Sequence, residues 1–234
     1  SKTWLAQTVK VQDITAYARR DQGRPKRDAR VGMLPPKLAQ TIVNLAAGPL
    51  PADDGNVVLD PFCGTGVVLQ EALLMGYNAY GTDIEPRMID YSRENLEWLK
   101  THGKETTPLL ETGDATEHRW THPVSIVASE TYLGRPLSSW PRPETLQEII
   151  GTCNVIIEKF LENIHAQLKP QTRLCLAVPC WQSPDKRFYH LPLLDHLKEI
   201  GYNRLRFEHA KDADLVYYRP EQIVARELLV ITRN

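Results

Sequence analysis

Short apolar runs alternate with stretches of helical spacing along most of the chain. Val57-Val58-Leu59 ends at Asp60 and a Gly-rich turn; Leu69, Leu73 and Leu74 then follow at helical spacing until Gly76. A short strand near Ala79-Tyr80-Gly81-Thr82 ends at Asp83, and Pro86 opens a helix with Ile89, Leu96 and Leu99 on one face. Leu109-Leu110 precede Gly113-Asp114, and Ser125-Ile126-Val127-Ala128 reads as a buried central strand. The longest helical signal runs from about Glu144 to Leu168. A fifth strand is expected at Leu174–Val178, a short helix at Leu191–Ile200 stopped by Gly201, and last strands around Arg204–Phe207 and Leu228–Ile231. No strong helix separates that final pair, so it is expected to pair antiparallel. Strands alternating with helices predict a doubly wound α/β fold with a mostly parallel sheet.

Before the first strand, Lys37 to Ala47 looks helical after Pro35-Pro36, whereas residues 1–36 show no clear period. That leader is expected to be an irregular arm packed on one domain, 37–234. From Ser1 to Lys37 there are nine basic residues against Asp13, Asp21 and Asp28, although the whole chain carries a net charge of only −1. A basic leader on a neutral body reads either as a phosphate-binding surface or as a solvated tail.

Composition excludes more than it selects. Of 234 residues, 42% are hydrophobic and 24% charged, close to globular averages. No apolar run approaches the roughly 20 residues of a bilayer span, and the first residues lack the layout of a secretory signal. Cys63, Cys153, Cys175 and Cys180 form no C-x-x-C pair, so free thiols in a reducing cytoplasm and no metal site are expected. The scattered histidines suggest neither a metal nor a general base.

The candidate chemistry begins at Asp60-Pro61-Phe62-Cys63-Gly64-Thr65-Gly66. Gly64 and Gly66 remove Cβ atoms that would block a ligand lying on the backbone. Position 69 is Leu, so G-x-G-x-x-G is incomplete, and the P-loop lysine is absent. A ligand without phosphates is therefore favoured. Asp83, 17 residues beyond Gly66, can accept both ribose hydroxyl hydrogens. Asp114 can accept from an adenine amino group, and Asp60 can engage an ammonium. With Ile84 and Ala115 beside the acids, three strand ends suit a cationic, ribose-bearing ligand: S-adenosylmethionine.

The same loop resembles the first motif of the exocyclic-amine methyltransferases. The segment 27–39, Arg27-Asp28-Ala29-Arg30-Val31-Gly32-Met33-Leu34-Pro35-Pro36-Lys37-Leu38-Ala39, with Asn44-Leu45, resembles the lead-in to the catalytic domain of THUMP-containing tRNA guanosine-N2 methyltransferases. Gly81-Thr82-Asp83-Ile84 and the helix Met88 to Leu96 match the same group. The resemblance covers most of the chain from about Val11 and is strongest between Arg27 and Asn95. It implies the class I methyltransferase fold, a seven-stranded sheet ending in an antiparallel pair. It also implies methyl transfer to N2 of a guanosine, at position 10 of tRNA. Gly32, Leu34 and Pro35 would then lie near the methionine end of the cofactor, with Arg27 and Arg30 toward the RNA. An RNA-binding THUMP domain precedes this point in that family. Its counterpart here is expected to be a partner, or a domain outside this sequence.

One motif departs from the pattern. Amine methyltransferases carry Asp/Asn-Pro-Pro-Tyr after the fourth strand; this chain reads Ser129-Glu130-Thr131-Tyr132. Tyr132 falls where the base-stacking aromatic belongs, Ser129 where the Asp belongs, and a carboxylate follows at Glu130. Three readings stand: Glu130 has become the acceptor of the amine hydrogens, Ser129 serves with backbone carbonyls, or the site binds cofactor without transferring methyl. We take the first. Trp181, expected just past the fifth strand, can stack on a base, or simply cover the core as a rim tryptophan. Tyr217 to Gln222, with Arg226, reads as a loop and turn between the last strands, with Tyr/Arg content able to touch RNA. An RNA amine methyltransferase is thus the expected function. A DNA amine methyltransferase ranks below it, for want of a target-recognition insert, followed by a non-catalytic cofactor-binding RNA module. A nicotinamide dehydrogenase is the most distant reading.

Overall fold

The computed structural model describes residues 2–28, 33–53, 55–100 and 108–234. Arg30 and Gly32 lie outside them. The elements run α1 (Ile14–Gln22), α2 (Pro36–Ala47), β1 (Val57–Asp60), α3 (Val67–Met75), β2 (Asn78–Asp83), α4 (Pro86–Lys100) and β3 (Leu109–Thr112). They continue with β4 (Ile126–Glu130), α5 (Pro143–His165), β5 (Arg173–Gln182), β6 (Phe188–Tyr189), β7 (Tyr202–Arg204), β8 (Val216–Tyr217) and β9 (Val224–Arg233).

All strands join one sheet along the path β3-β2-β1-β4-β5-β9-β7, with β6 paired to β5 and β8 to β9. The first five strands of the path run parallel, while β9 is antiparallel to both β5 and β7. This is the class I methyltransferase order. Leu59 and Val127 turn toward α5, and Val58 and Ile126 toward α2 and α3, as period-two strands buried on both faces require. The α5 stripe Leu146, Ile149, Ile150, Cys153, Ile157, Phe160, Leu161 and Ile164 is buried at three-and-four spacing. Burying each large side chain of that stripe contributes roughly 1.5–3 kcal/mol. Among the described residues no helix is long and apolar enough to cross a membrane.

Three expectations shift. The leader is not wholly irregular: Asp13 caps α1 by accepting from the Ala16 N–H at 2.9 Å. The helix then docks through a Tyr17–Gln40 side-chain hydrogen bond and an Arg20–Glu71 ion pair at 2.6 Å. The helix expected at Leu191–Ile200 shrinks to a 3-10 turn, Pro192–Asp195. Leu191, Leu193 and Leu197 all enter the core, and their spacing does not fit one helical stripe. Finally, β5 does not stop at Val178 but runs through Pro179 to Gln182. β4 ends opposite Ala177, so Pro179 sits where β5 has lost its β4 neighbour, and a missing N–H there is tolerated.

Candidate functional site

The carboxyl ends of β1, β2 and β4 converge on the Gly-rich loop, where open α/β sheets bind ligands. Asp60 ends β1 and is buried. Its Oδ1 accepts from Ser129 Oγ at 2.6 Å and from the Phe62 N–H at 3.2 Å. Burial pushes its carboxyl up to about 7, against the pull of those two hydrogen bonds, and nearby Asp83 and Glu130 push the same way. Asp83, at the end of β2, accepts from the Gly64 N–H at 2.9 Å and from the Glu85 N–H at 3.0 Å. Burial raises its carboxyl too.

Between these acids the loop is shaped for a ligand. Gly64 has φ +51, and a Cβ built on it would meet nothing within 4 Å, so its outer side is open. Gly66 has φ +81, and a Cβ there would stand 2.9 Å from Ser92 Oγ. The first glycine leaves room for a ligand and the second lets α3 approach α4. Ile84, beside Asp83, is exposed, while Phe62 is half-buried with its ring edge-on to Phe160 at 5.2 Å. Asp114 Oδ1 holds its own turn through the Thr116 N–H and Oγ1 at 2.9 and 2.8 Å. A carboxylate has about four acceptor sites, so capacity for an amino group remains. Ala115 is buried and its carbonyl accepts from Asn163 of α5 at 3.0 Å. Leu34 is in the core, and the Pro35 carbonyl accepts the first helical bonds of α2.

Ser129 and Glu130 end β4 in different environments. Ser129 is fully buried and its hydroxyl proton is committed to Asp60. Glu130 keeps a little exposed surface and pairs with Arg226 of β9. Burial raises the Glu130 carboxyl, and the guanidinium opposes that rise. Arg226 is therefore a buried strand residue, not a turn residue reaching toward RNA. Tyr132 follows with its ring exposed. Arg27 is also exposed, whereas Trp181 is fully buried within β5. With no exposed face it cannot stack on a base; the lengthened strand carries it into the core beneath α5.

Sequence reasoning missed Ser92 and Asn95, both buried on α4. Ser92 Oγ donates to the Gly64 carbonyl at 2.8 Å. Asn95 Nδ2 donates to the Thr65 carbonyl at 2.8 Å and the Lys26 carbonyl at 3.0 Å, and Oδ1 accepts from the Lys26 N–H at 2.9 Å. The arm and the loop are thus tied to one amide. The available signal was two polar residues on the stripe Met88, Ser92, Asn95, Leu99, which the helix otherwise fills with apolar side chains. Among the described residues no cluster of three or more His, Cys, Asp or Glu side chains could hold a metal ion.

A family model described as "Methyltransferase domain" matches residues 52–218, and one described as "DNA methylase" matches residues 3–94. A tRNA (guanine(10)-N2)-dimethyltransferase of Methanothermobacter thermautotrophicus is 32% identical over 148 residues, which are 63% of this chain and 39% of the relative. The enzyme of the same name from Methanocaldococcus jannaschii is 48% identical over 66 residues, 28% of this chain and 18% of its own. The chain therefore spans well under half the length of these curated relatives. Crystalline TrmN from Thermus thermophilus aligns with a TM-score of 0.59 at 20% identity, over 93% of this chain and 53% of that one.

Proposed function

The chain belongs to the methyltransferase domain family, and on that premise we propose that it transfers methyl from S-adenosylmethionine to N2 of a guanosine in tRNA. The observation that carries the cofactor is the open side of Gly64 between Asp60 and Asp83. The named activity of the archaeal relatives supports the acceptor; position 10 rests on those names and on the motifs. The RNA-binding half, a THUMP domain or a partner protein, would lie outside these residues, and four free, buried thiols fit work in the cytoplasm.

The residues fit the cofactor. Asp83 would hold the ribose hydroxyls, Ile84 would cover the adenine and Asp114 would take its amino group. Asp60, with Leu34 and Pro35, would face the methionine end. When bound, the sulfonium supplies an electrophilic methyl group. The chain's own task is to present the amine: Tyr132 stacks on the guanine, and Glu130 accepts an N2 hydrogen as positive charge develops on nitrogen. Glu130 is preferred over Ser129 because it retains exposed surface. Arg226 keeps that carboxylate charged and in place.

Two observations favour a second reading, a cofactor-binding module without turnover: the Ser129 proton is taken by Asp60, and Glu130 is already paired. Incubating unmodified tRNA and DNA with methyl-labelled cofactor separates the two. Label recovered as N2-methylguanosine, and lost in Tyr132→Ala, supports transfer. Tight cofactor binding with no label in tRNA, even after the RNA-binding half is restored, supports the module. Label in DNA alone overturns both.

Asp60 adds a pH prediction. Only its ionised form attracts an ammonium, so cofactor affinity should fall as pH drops through about 7. Binding at pH 6 should be about tenfold weaker than at pH 8, and Asp60→Asn should flatten the profile. For the free protein the sign is opposite. A folded-state value above the unfolded one contributes stability that is full below the ordinary carboxylate range and is lost as pH rises through about 7. Calorimetric titration at the two pH values decides; equal affinity at both would remove Asp60 from the ligand.

A further inference from the structure

The cofactor acids occupy the β1–β3 half of the carboxyl rim, and the other half carries a different chemistry. From Pro36 onward the exposed Phe, Tyr and Trp rings among the described residues are Tyr132, Tyr189 and Tyr218, at 41%, 41% and 48% exposure. All three lie on one edge. Tyr132 follows β4, and Tyr189 sits on β6 opposite Trp181 at the end of β5. Tyr218 follows β8, which pairs with the start of β9 and so lies at the same end.

Each outer ring is braced by a partner. Tyr189 tilts against Trp140 at 5.8 Å, and Tyr218 meets the edge of Phe188 at 5.6 Å. Successive β6 residues point to opposite faces, so the two pairs straddle the end of the sheet. Lys186, Arg187 and Arg219 are exposed on the same segments, with Asp185 offsetting Arg187. Arg219 Nε donates to the Tyr217 hydroxyl at 3.2 Å, which holds the guanidinium beside these rings.

Resting on the RNA reading above, which gives Tyr132 to the target base, we propose that Tyr189 and Tyr218 form a stacking surface for unpaired nucleotides flanking the target. The substrate class is therefore a loop, bulge or frayed end of RNA, not a continuous duplex. Braced aromatic rings interleaved with cations take single strands, because every base has a π-face and every linkage a negative charge. A duplex hides its base faces from such rings.

The test is binding, read by fluorescence anisotropy of a labelled twelve-nucleotide RNA, single-stranded or annealed to its complement. The single strand should bind more tightly, and Tyr189→Ala and Tyr218→Ala should each weaken it about tenfold. Tyr189→Phe, and Val155→Ala on the solvent face of α5, should bind as the parent does. Cofactor affinity should stay unchanged in all four, which also reports an intact fold. Equal or tighter binding of the duplex, or unchanged single-strand affinity in both alanine variants, overturns the proposal. Binding is read without turnover, so a strand held through these rings but never methylated sinks the proposed activity and leaves this surface standing.

Discussion

Asp83→Ala should weaken S-adenosylmethionine binding by at least about a hundredfold, the largest loss expected from any single truncation in the site. Two ribose hydroxyls donating to one carboxylate are worth about 1.5–3 kcal/mol each, and tenfold in affinity corresponds to about 1.4 kcal/mol. The substitution also removes the acceptor for the Gly64 and Glu85 N–H groups, so the loop loses its anchor with the ligand. Asp83→Asn keeps the shape and one acceptor oxygen, so its loss should be intermediate, about tenfold. Calorimetric titration of the purified chain measures all three proteins. Full affinity in the alanine variant would mean that the cofactor is held elsewhere.

The second large effect concerns stability. Arg226→Met leaves the Glu130 carboxylate in a mostly desolvated position without its cation, which should cost about 3–5 kcal/mol. Adding Glu130→Leu removes the stranded charge, and the double variant should return to within about 1 kcal/mol of the parent. Urea unfolding followed by circular dichroism gives both numbers. If the single variant is as stable as the parent, the pair contributes nothing to the fold. Methyl transfer should be lost in both variants, because the carboxylate is misplaced in one and absent from the other. Stability and activity therefore part company in the double variant.

The cofactor half of the site was legible because each residue announces itself locally. Val57-Val58-Leu59 reads as a buried strand, Asp60 and Asp83 end strands, and Gly64 and Gly66 stand in the turn between them. The substrate half was not, because its contacts join distant positions. Glu130 and Arg226 are brought together only by the register of β5 and β9, which no local pattern encodes. Trp181 was misplaced because Pro179 reads as a strand end, yet a strand that has lost its neighbour on one side tolerates proline. α1 escaped notice because it buries no residue completely, and polar partners in α2 and α3 hold it in place. The aromatic rim was visible only in part. Tyr217-Tyr218-Arg219 drew attention, but Phe188 and Tyr189 acquire meaning only when β6 folds back on β5.

Asn95 grips the main chain of the arm, through the N–H and carbonyl of Lys26, not any side chain. The Lys26 ammonium does pair with Glu94 at 3.2 Å, but that contact is solvent-exposed and worth little. At Lys26 the route of the leader is thus fixed independently of that residue's side chain, whereas α1 is held by the side chains of Tyr17 and Arg20. Exposed basic residues such as Arg19 and Arg27 can be exchanged over generations without disturbing the loop that Asn95 also holds, whereas Arg20, which faces the buried Glu71 carboxylate, cannot. Variation at the exposed leader positions is thus separated from the Gly-rich loop by a contact that reads only main chain.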